Sequence, residues 1–360
     1  MASVRQKIVA GLVGLVAAVF VMEIVLRVLG LGFGSSPMVP DLFLHHVHPR
    51  NYTFRQHHPS GELGGFDTHY DAAGRVFGGP GSPAPVAMPC RIALMGDSFA
   101  EGGQVPYEVS YAGLLDQAAL GACEVRNYGV RSYSPAVYLL QWTREVQPWQ
   151  PTHVFMLLFS NDIRDDVDYM ATAVKDADGW PTAIPGPSGG WLTSQLRKFY
   201  VARFARMVYL QYEWARDHAG EEQWTIGGVV EENPEWGGPT PGLLMELARR
   251  VTAGGAGLTI MVVPSRYRLM GDGRIKVDRD FHHTVKAWAG EHGIPFLDLQ
   301  EPFERAAKGG VTLFFLQDVH FSAEGHALTA AVIARWAPQL FPHAMAISSR
   351  SVQAAFPSQR

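Results

Sequence analysis

From residue 92 onward, short apolar runs alternate with segments of helical period. Candidate strands fall at 92–95, 124–127, 154–159, 258–263 and 295–299, and candidate helices near 107–120, 136–146, 242–253, 278–292 and 323–336. Strands interleaved with helices predict an α/β domain of the three-layer α/β/α, flavodoxin-like kind, with a five-stranded parallel sheet covered on both faces. In such a sheet the ligand crevice lies beyond the carboxyl ends of the strands, which is where "MGDS", "NYGVRS" and "LFSND" emerge.

Two regions break the alternation. Residues 33–90 are rich in Gly, Pro and His, and "GGPGSPAP" at 78–85 reads as a turn-rich connection into the first strand. Residues 163–241 hold "DGWPTAIPGPSGG", a predicted helix over 191–218 and then "NPEWGGPTPG"; a stretch this long inside a compact domain reads as a lid or inserted subdomain. The domain is expected to span 91–340, with 341–360 as a C-terminal tail. No internal repeat is evident.

The first 32 residues carry a different pattern. Arg5 and Lys7 precede an uncharged apolar stretch, 8–22, which then meets Glu23 and Arg27. With those two charges near the interface, the segment is long enough to cross a bilayer, and residues 1–32 read as a signal anchor. The basic N-terminus favours the cytoplasmic side, placing the domain outside the cytoplasm, on the periplasmic or extracellular face. A cleaved signal peptide and an amphipathic helix docked on the domain are the alternatives.

Composition narrows the partners. A 360-residue chain with 47% hydrophobic residues can bury a sizeable core. Thirty Lys and Arg lie scattered among thirty-four Asp and Glu, giving a formal charge of −4 with no basic block, so nucleic acid is not an expected partner. Cys90 and Cys123 are the only cysteines, each just before a predicted strand. If those strands are parallel neighbours a disulfide is geometrically reasonable, and two buried thiols are the alternative. Histidines 45, 46, 48, 57, 58 and 69 match no compact zinc spacing and have no cysteine beside them, so they read as surface or loop residues. No metal and no cofactor is expected. Trp180, Trp191, Trp224 and Trp236 fall in or beside the insertion, where they either contact a sugar or lipid or pack a small subdomain.

The candidate chemistry starts at Ser98. A serine hydroxyl is a weak nucleophile until a positioned base takes its proton. "LFFLQDVHFSAEGHALTAA" supplies His320 and, two residues earlier, Asp318; in an extended segment these project to one side, so the carboxylate can orient the imidazole that faces Ser98. Asn161 in "FSND" offers an amide for a developing oxyanion. The Ser98 N–H and one from the turn at 129–132 can complete that hole. Gly96 to Ala100 lacks the Gly-x-Ser-x-Gly frame of the α/β-hydrolase elbow, and "GDG" at 271–273 is a turn too short to hold phosphate.

Four segments in this order resemble the SGNH (GDSL-type) hydrolase superfamily: "GDSF", "NYGVRSYSP", "SND" and "DVHFSAEGH". The resemblance runs from about 91 to 340. It implies Ser98 as nucleophile, His320 as general base, Asp318 as its partner, and an oxyanion hole from Ser98, Ser132 and Asn161, with Gly129 as the alternative second-block donor. Ser132 stands where the family usually has its donor glycine, and Phe159 where a glycine precedes the asparagine by two. Asp318 precedes His320 by two residues instead of three, which looks like the Asp-x-His arrangement of membrane-associated polysaccharide acetyltransferases in the superfamily. The expected function is a serine esterase that forms an acyl-enzyme on cell-envelope acyl esters of a glycan or lipid. An O-acyltransferase modifying an envelope polysaccharide, and a non-catalytic glycan-binding protein of this fold, are the alternatives.

Overall fold

The central sheet is built from four parallel strands: β1 (Cys90–Gly96), β2 (Cys123–Asn127), β3 (His153–Leu158) and β4 (Gly257–Val262). Their spatial order is β2-β1-β3-β4. In the computed structural model the described residues are 3–29, 38–57, 62–79, 88–187, 196, 198–217, 236–265, 281–316 and 318–356. His58, Trp191, Trp224, the start of the predicted helix at 191–218 and the turn at 271–273 lie outside them.

Alternation within β1 explains why the sheet is covered twice. Ile92 and Leu94 enter one core with Phe155, Phe303 and Leu328. Ala93 and Met95 enter the other with Met156, Tyr138 and Leu247. Side chains two apart share a face, so one short strand feeds both layers.

The sheet has four strands, and the expected fifth at 295–299 is a correction. Among the described residues its only pairing is a parallel bridge between Phe296 and Ile260, with hydrogen bonds from the Ile260 N–H to Pro295 and from the Leu297 N–H to Ile260. Asp298 then accepts the N–H of Gln300 at 2.9 Å, turning the chain into the helix Gln300–Lys308 before a ladder can extend.

Most predicted helices form, with boundaries set by caps. Ala323–Trp336 begins where Ser322 accepts the Gly325 N–H. Tyr111–Ala118 begins at Ser110, which accepts the Gly113 N–H; the predicted 107–120 helix is thereby divided from a single turn at Tyr107–Val109. Thr240–Ala253 and Phe281–Glu291 flank β4. Within the predicted 191–218 helix, the structure has Tyr200–Asp217.

The segment before β1 is structured. Tyr52–His57, Gly64–Tyr70 and Val76–Phe77 form an antiparallel sheet. His46 and His48 are buried, unlike the surface position expected of them. His46 Nε2 bonds the Arg131 carbonyl at 2.8 Å and His48 Nδ1 the Gly74 carbonyl at 2.9 Å, so backbone partners draw both rings inward. Cys90 and Cys123, paired across β1 and β2, are joined in a disulfide. Trp236 packs edge-on to Phe281 and Trp288. Phe341, Ile347, Val352 and Ala355, in the stretch read as a tail, are buried in the core.

The helix Val4–Leu29 has a mean hydropathy of 2.6 over its most apolar window and is the one candidate membrane span among the described residues. Only Leu26 is buried along it. Near its end, Glu23 accepts the N–H groups of Tyr200 and Val201, capping the Tyr200–Asp217 helix.

Candidate active site

Strand order places the site. The chain leaves β1 in one direction to form β2 and returns to the other side to form β3, so the carboxyl ends of β1 and β3 flank the topological switch point. β1 ends at Gly96, whose φ is +154°. A Cβ there would lie 2.7 Å from both the Leu157 carbonyl oxygen and the Ala100 Cβ, so only glycine lets the turn pass this close to β3. Asp97 then caps the short helix Ser98–Glu101, its Oδ1 accepting the Phe99 N–H at 2.9 Å. Ser98 occupies the first helical position, partly exposed, where a backbone N–H has no intrahelical partner.

His320 arrives from the far end of the chain. A bridge between Phe314 and Phe321 and the bond from Phe315 N–H to the His320 carbonyl fold the segment back on itself just before the Ser322 cap. This sets His320 Nε2 2.7 Å from Ser98 Oγ, across 222 residues of sequence. The other ring nitrogen, Nδ1, bonds Asp318 Oδ1, which also accepts the His320 backbone N–H at 2.9 Å. A carboxylate oxygen only accepts, so Nδ1 carries the proton and Nε2 is left to accept from the serine hydroxyl. That is the tautomer a general base requires.

Phe99 fixes this pair from below. Its ring lies 4.9 Å from the His320 ring, 4.9 Å from Phe321 and 4.7 Å from Phe159. Phe159, at the position where the family pattern has glycine, therefore completes an aromatic floor beneath the imidazole.

The three candidate oxyanion donors differ. Asn161 stands at the start of the helix Asp162–Thr172, three residues beyond β3, without a capping bond from its side chain; its Nδ2 donates to Asp165 Oδ2 at 2.8 Å, leaving its second amide hydrogen for another acceptor. Ser132 has a φ of +58°, and its carbonyl accepts the Tyr169 hydroxyl at 2.6 Å. Among the described residues the N–H groups of Ser98 and Ser132 donate to nothing. Gly129 is a correction: its N–H is committed to Asn127 Oδ1 at 2.8 Å and is not available to a substrate. A Cβ on Gly129 would fall 2.3 Å from the Glu101 nitrogen, so this glycine lets two backbones meet.

Four aspartates crowd the floor of this rim. Burial pushes the Asp97 carboxyl up to about 6, against the pull of the Phe99 N–H. Burial, and then the charge of Asp97, hold Asp162 well above the usual carboxylate range. Burial and the neighbouring Asp97 and Asp166 raise Asp165 to about 7. Burial raises Asp166 to about 6, although it accepts from Ser134, Ala136 and Thr240. Asp97 and Asp162 hold the loops, by the Phe99 and Phe159 N–H groups respectively.

This crowding has a pH signature. Between 3.8 and about 7 the folded protein keeps the Asp165 proton while the unfolded chain has lost it, so the folded state binds more protons and stability falls as pH rises. Asp165→Asn removes that titration. The variant's thermal midpoint is expected to rise relative to the parent across this window, leaving it a few degrees more stable at pH 8 than the parent. Parallel melting curves at pH 4 and pH 8 check it; a constant gap between the two proteins at both pH values refutes it.

Sequence reasoning passes over Glu101 and Arg131, and reads His326 only as a helix position near the site, with no role. Glu101 and Arg131 are charged residues inside motif blocks made mostly of small and apolar residues, and that is a readable signal; they pair at 2.9 Å, the Glu101 carboxylate buried and the Arg131 side chain partly exposed. His326 is buried beneath the site, stacked on Tyr111, whose N–H it accepts at 3.3 Å.

Residues 94–328 match the model of the GDSL-like Lipase/Acylhydrolase family. No curated protein matches the chain. Among solved structures, an alpha/beta hydrolase enzyme from the metagenome of Lake Arreo, Spain, aligns at 13% identity over 71% of this chain and 98% of its own, with a TM-score of 0.42. A member of the lipolytic protein G-D-S-L family from Veillonella parvula aligns at 17% identity over 68% and 97%, with a TM-score of 0.40. A catalytic mutant of an acetylxylan esterase from Geobacillus stearothermophilus aligns at 14% identity over 70% and 95%, with a TM-score of 0.41.

Proposed function

The chain belongs to the GDSL-like lipase/acylhydrolase family and is an ester hydrolase, and from that premise we propose that it works through a Ser98–His320–Asp318 triad and an acyl-enzyme. The observation that carries this reading is the unbroken chain of hydrogen bonds from Ser98 Oγ through both imidazole nitrogens to the Asp318 carboxylate.

Ser98 Oγ attacks the ester carbonyl carbon as its proton passes to His320 Nε2. The negative charge that develops on the carbonyl oxygen is met by the N–H groups of Ser98 and Ser132 and by the Asn161 amide. Collapse of the tetrahedral intermediate breaks the bond to the alcohol oxygen, which leaves with the proton from His320. Water then attacks the acyl-serine, gives its proton to the same nitrogen, and the acid departs as Ser98 is restored. Asp318 stabilises the imidazolium in both halves without taking the proton itself.

The substrate class in this reading is an acyl ester of the cell envelope, carried on a glycan or a lipid. Residues 1–32 serve as an anchor and the 91–340 domain, with its insertion at 163–241, works on the extracytoplasmic side. The long apolar helix and the basic residues Arg5 and Lys7 at its start support that placement. The two-residue spacing of Asp318 and His320 favours a second reading, in which a sugar hydroxyl replaces water in the second step. Product analysis separates the two. With an acyl donor and a saccharide acceptor present together, hydrolysis yields free acid alone, whereas transfer yields acylated saccharide.

The oxyanion assignment has its own test. Asn161→Ala is expected to lower kcat by about a hundred- to a thousandfold, the usual cost of one lost donor, with KM little changed. Steady-state kinetics on a short acyl ester measure it, and an unchanged kcat removes Asn161 from the hole.

A further inference from the structure

The peptide between Arg131 and Ser132 and the peptide before it are each held by a side chain the catalytic reading does not use. Its carbonyl oxygen, that of Arg131, is 2.8 Å from His46 Nε2. A carbonyl only accepts, so Nε2 donates. The Arg131 N–H, in the preceding peptide, donates to Glu101 Oε2 at 3.0 Å, and the Arg131 guanidinium adds contacts to the same carboxylate at 2.9 and 3.3 Å. Glu101 is the last residue of the helix that begins at Ser98.

A peptide unit is planar, and in a trans peptide the carbonyl and the following N–H point in opposite directions. Holding the Arg131 oxygen therefore fixes where the Ser132 N–H points. Ser132 needs such a hold, because a φ of +58° is sparsely populated by any residue other than glycine and persists only when its surroundings impose it. The family's glycine would reach that conformation freely. Here the conformation is held from both ends, upstream by His46 on the Arg131 carbonyl and Glu101 on the Arg131 N–H, and downstream by the Tyr169 hydroxyl on the Ser132 carbonyl.

The grip is buried and continuous. The Tyr133 hydroxyl donates to the His46 carbonyl at 2.6 Å, and the His46 and Tyr133 rings pack edge to face at 5.2 Å. His48 Nε2 and the Tyr70 hydroxyl each lie 3.4 Å from Glu101 Oε1, and the His48 and Tyr70 rings stack at 4.2 Å. Gln56 donates to the Gly103 carbonyl just past the nucleophile helix. Burial favours an uncharged Glu101 carboxyl, but Arg131 and His48 outweigh it and hold the group well below the usual carboxylate range. His46, His48, Gln56 and Tyr70 all precede residue 94, where the family match begins.

We infer that His46 and Glu101 are positioning residues for ester cleavage, fixing the 131–132 peptide so that the Ser132 N–H faces the developing oxyanion. His46, His48 and Tyr70 are thereby part of the active-site wall. The inference rests on the roles proposed above for Ser98 and Ser132.

The test uses the full chain. His46→Phe keeps an aromatic ring but removes the donor; His46→Gln restores an N–H donor; Glu101→Gln keeps the shape and removes the charge. Each is compared with the parent and with Ser98→Ala for kcat, for KM, and for affinity toward a boronic acid that forms a tetrahedral adduct on a serine. The expected result is a ten- to hundredfold fall in kcat for His46→Phe and Glu101→Gln, with KM within twofold. Boronate affinity falls in step with kcat, and His46→Gln recovers most of both. Loss of folded protein alone lowers apparent kcat at unchanged KM but leaves the boronate affinity of the remaining enzyme unchanged, so the fall in boronate affinity is the readout that marks positioning. If Glu101→Gln does not fold, His46→Phe decides. An unchanged kcat in His46→Phe, with Ser98→Ala inactive, overturns the inference and leaves the triad standing; an active Ser98→Ala overturns both.

Discussion

Ser98→Ala is expected to lower kcat on a short acyl ester by roughly a millionfold, the scale on which removal of a serine nucleophile acts in hydrolases with this arrangement. The loss is that large because the remaining groups have nothing to attack with. His320 can still hold a proton and the N–H donors can still face a carbonyl oxygen, but no covalent bond forms. Substrate binding is expected to survive, since Ser98 Oγ is a single partly exposed atom at the crevice floor. The fold should survive too, because the helix start depends on the Asp97 side chain and the Phe99 N–H and not on the Ser98 hydroxyl. Kinetics beside a melting curve check both points. A variant that keeps even a hundredth of the parent turnover, at matched purity, places the nucleophile elsewhere.

Asp318→Asn is expected to cost about ten-thousandfold in kcat with little change in KM. The replacement is nearly isosteric, so the loss is electronic. Asp318 Oδ1 accepts both from His320 Nδ1 and from the His320 backbone N–H, which leaves the ring one productive orientation. An asparagine can present its amide N–H to Nδ1, and the ring then carries its proton on Nε2, facing Ser98, where it cannot act as a base. Without the carboxylate the imidazolium of the transition state also loses its counter-charge. A fall of less than tenfold means that the Asp318 carboxylate does not set the tautomer.

The residues of the proposed catalytic set could be picked out in the sequence because they lie at element boundaries, where residue type reports backbone geometry. Gly96 marks the close turn against β3, Asp97 a cap, and the two-residue spacing of Asp318 and His320 a shared side. The order of four such blocks then names the fold, and Ile92 to Met95, alternating between two cores, shows why the sheet is covered on both faces. The fifth strand was over-read because the apolar run 295–299 carries no sign that Asp298 will draw Gln300 into a helix after a single bridge. Gly129 was read as a donor by residue type, whereas its N–H is spent on Asn127.

What stayed hidden depends on pairings with no local signature. His46 and Arg131 are 85 residues apart, and nothing in "LFLHHVHPR" announces a bond to the loop after β2. A histidine-rich stretch reads as surface or as a metal site. Burial against a carbonyl is a third state, and it appears only once His46 is seen against the loop after β2. Residues 341–356 were likewise read as a tail, although Ser351 bonds Glu324 and Val352 and Ala355 close the core beside the helix Gln300–Lys308.

Treatment of the full chain with a fluorophosphonate, followed by proteolysis and mass spectrometry of the labelled peptide, tests the central claim most directly. One phosphonyl group per chain is expected, on Ser98, with esterase activity lost in proportion and no labelling of Ser98→Ala. Covalent modification at any other residue, or full inactivation while Ser98 remains unmodified, contradicts it.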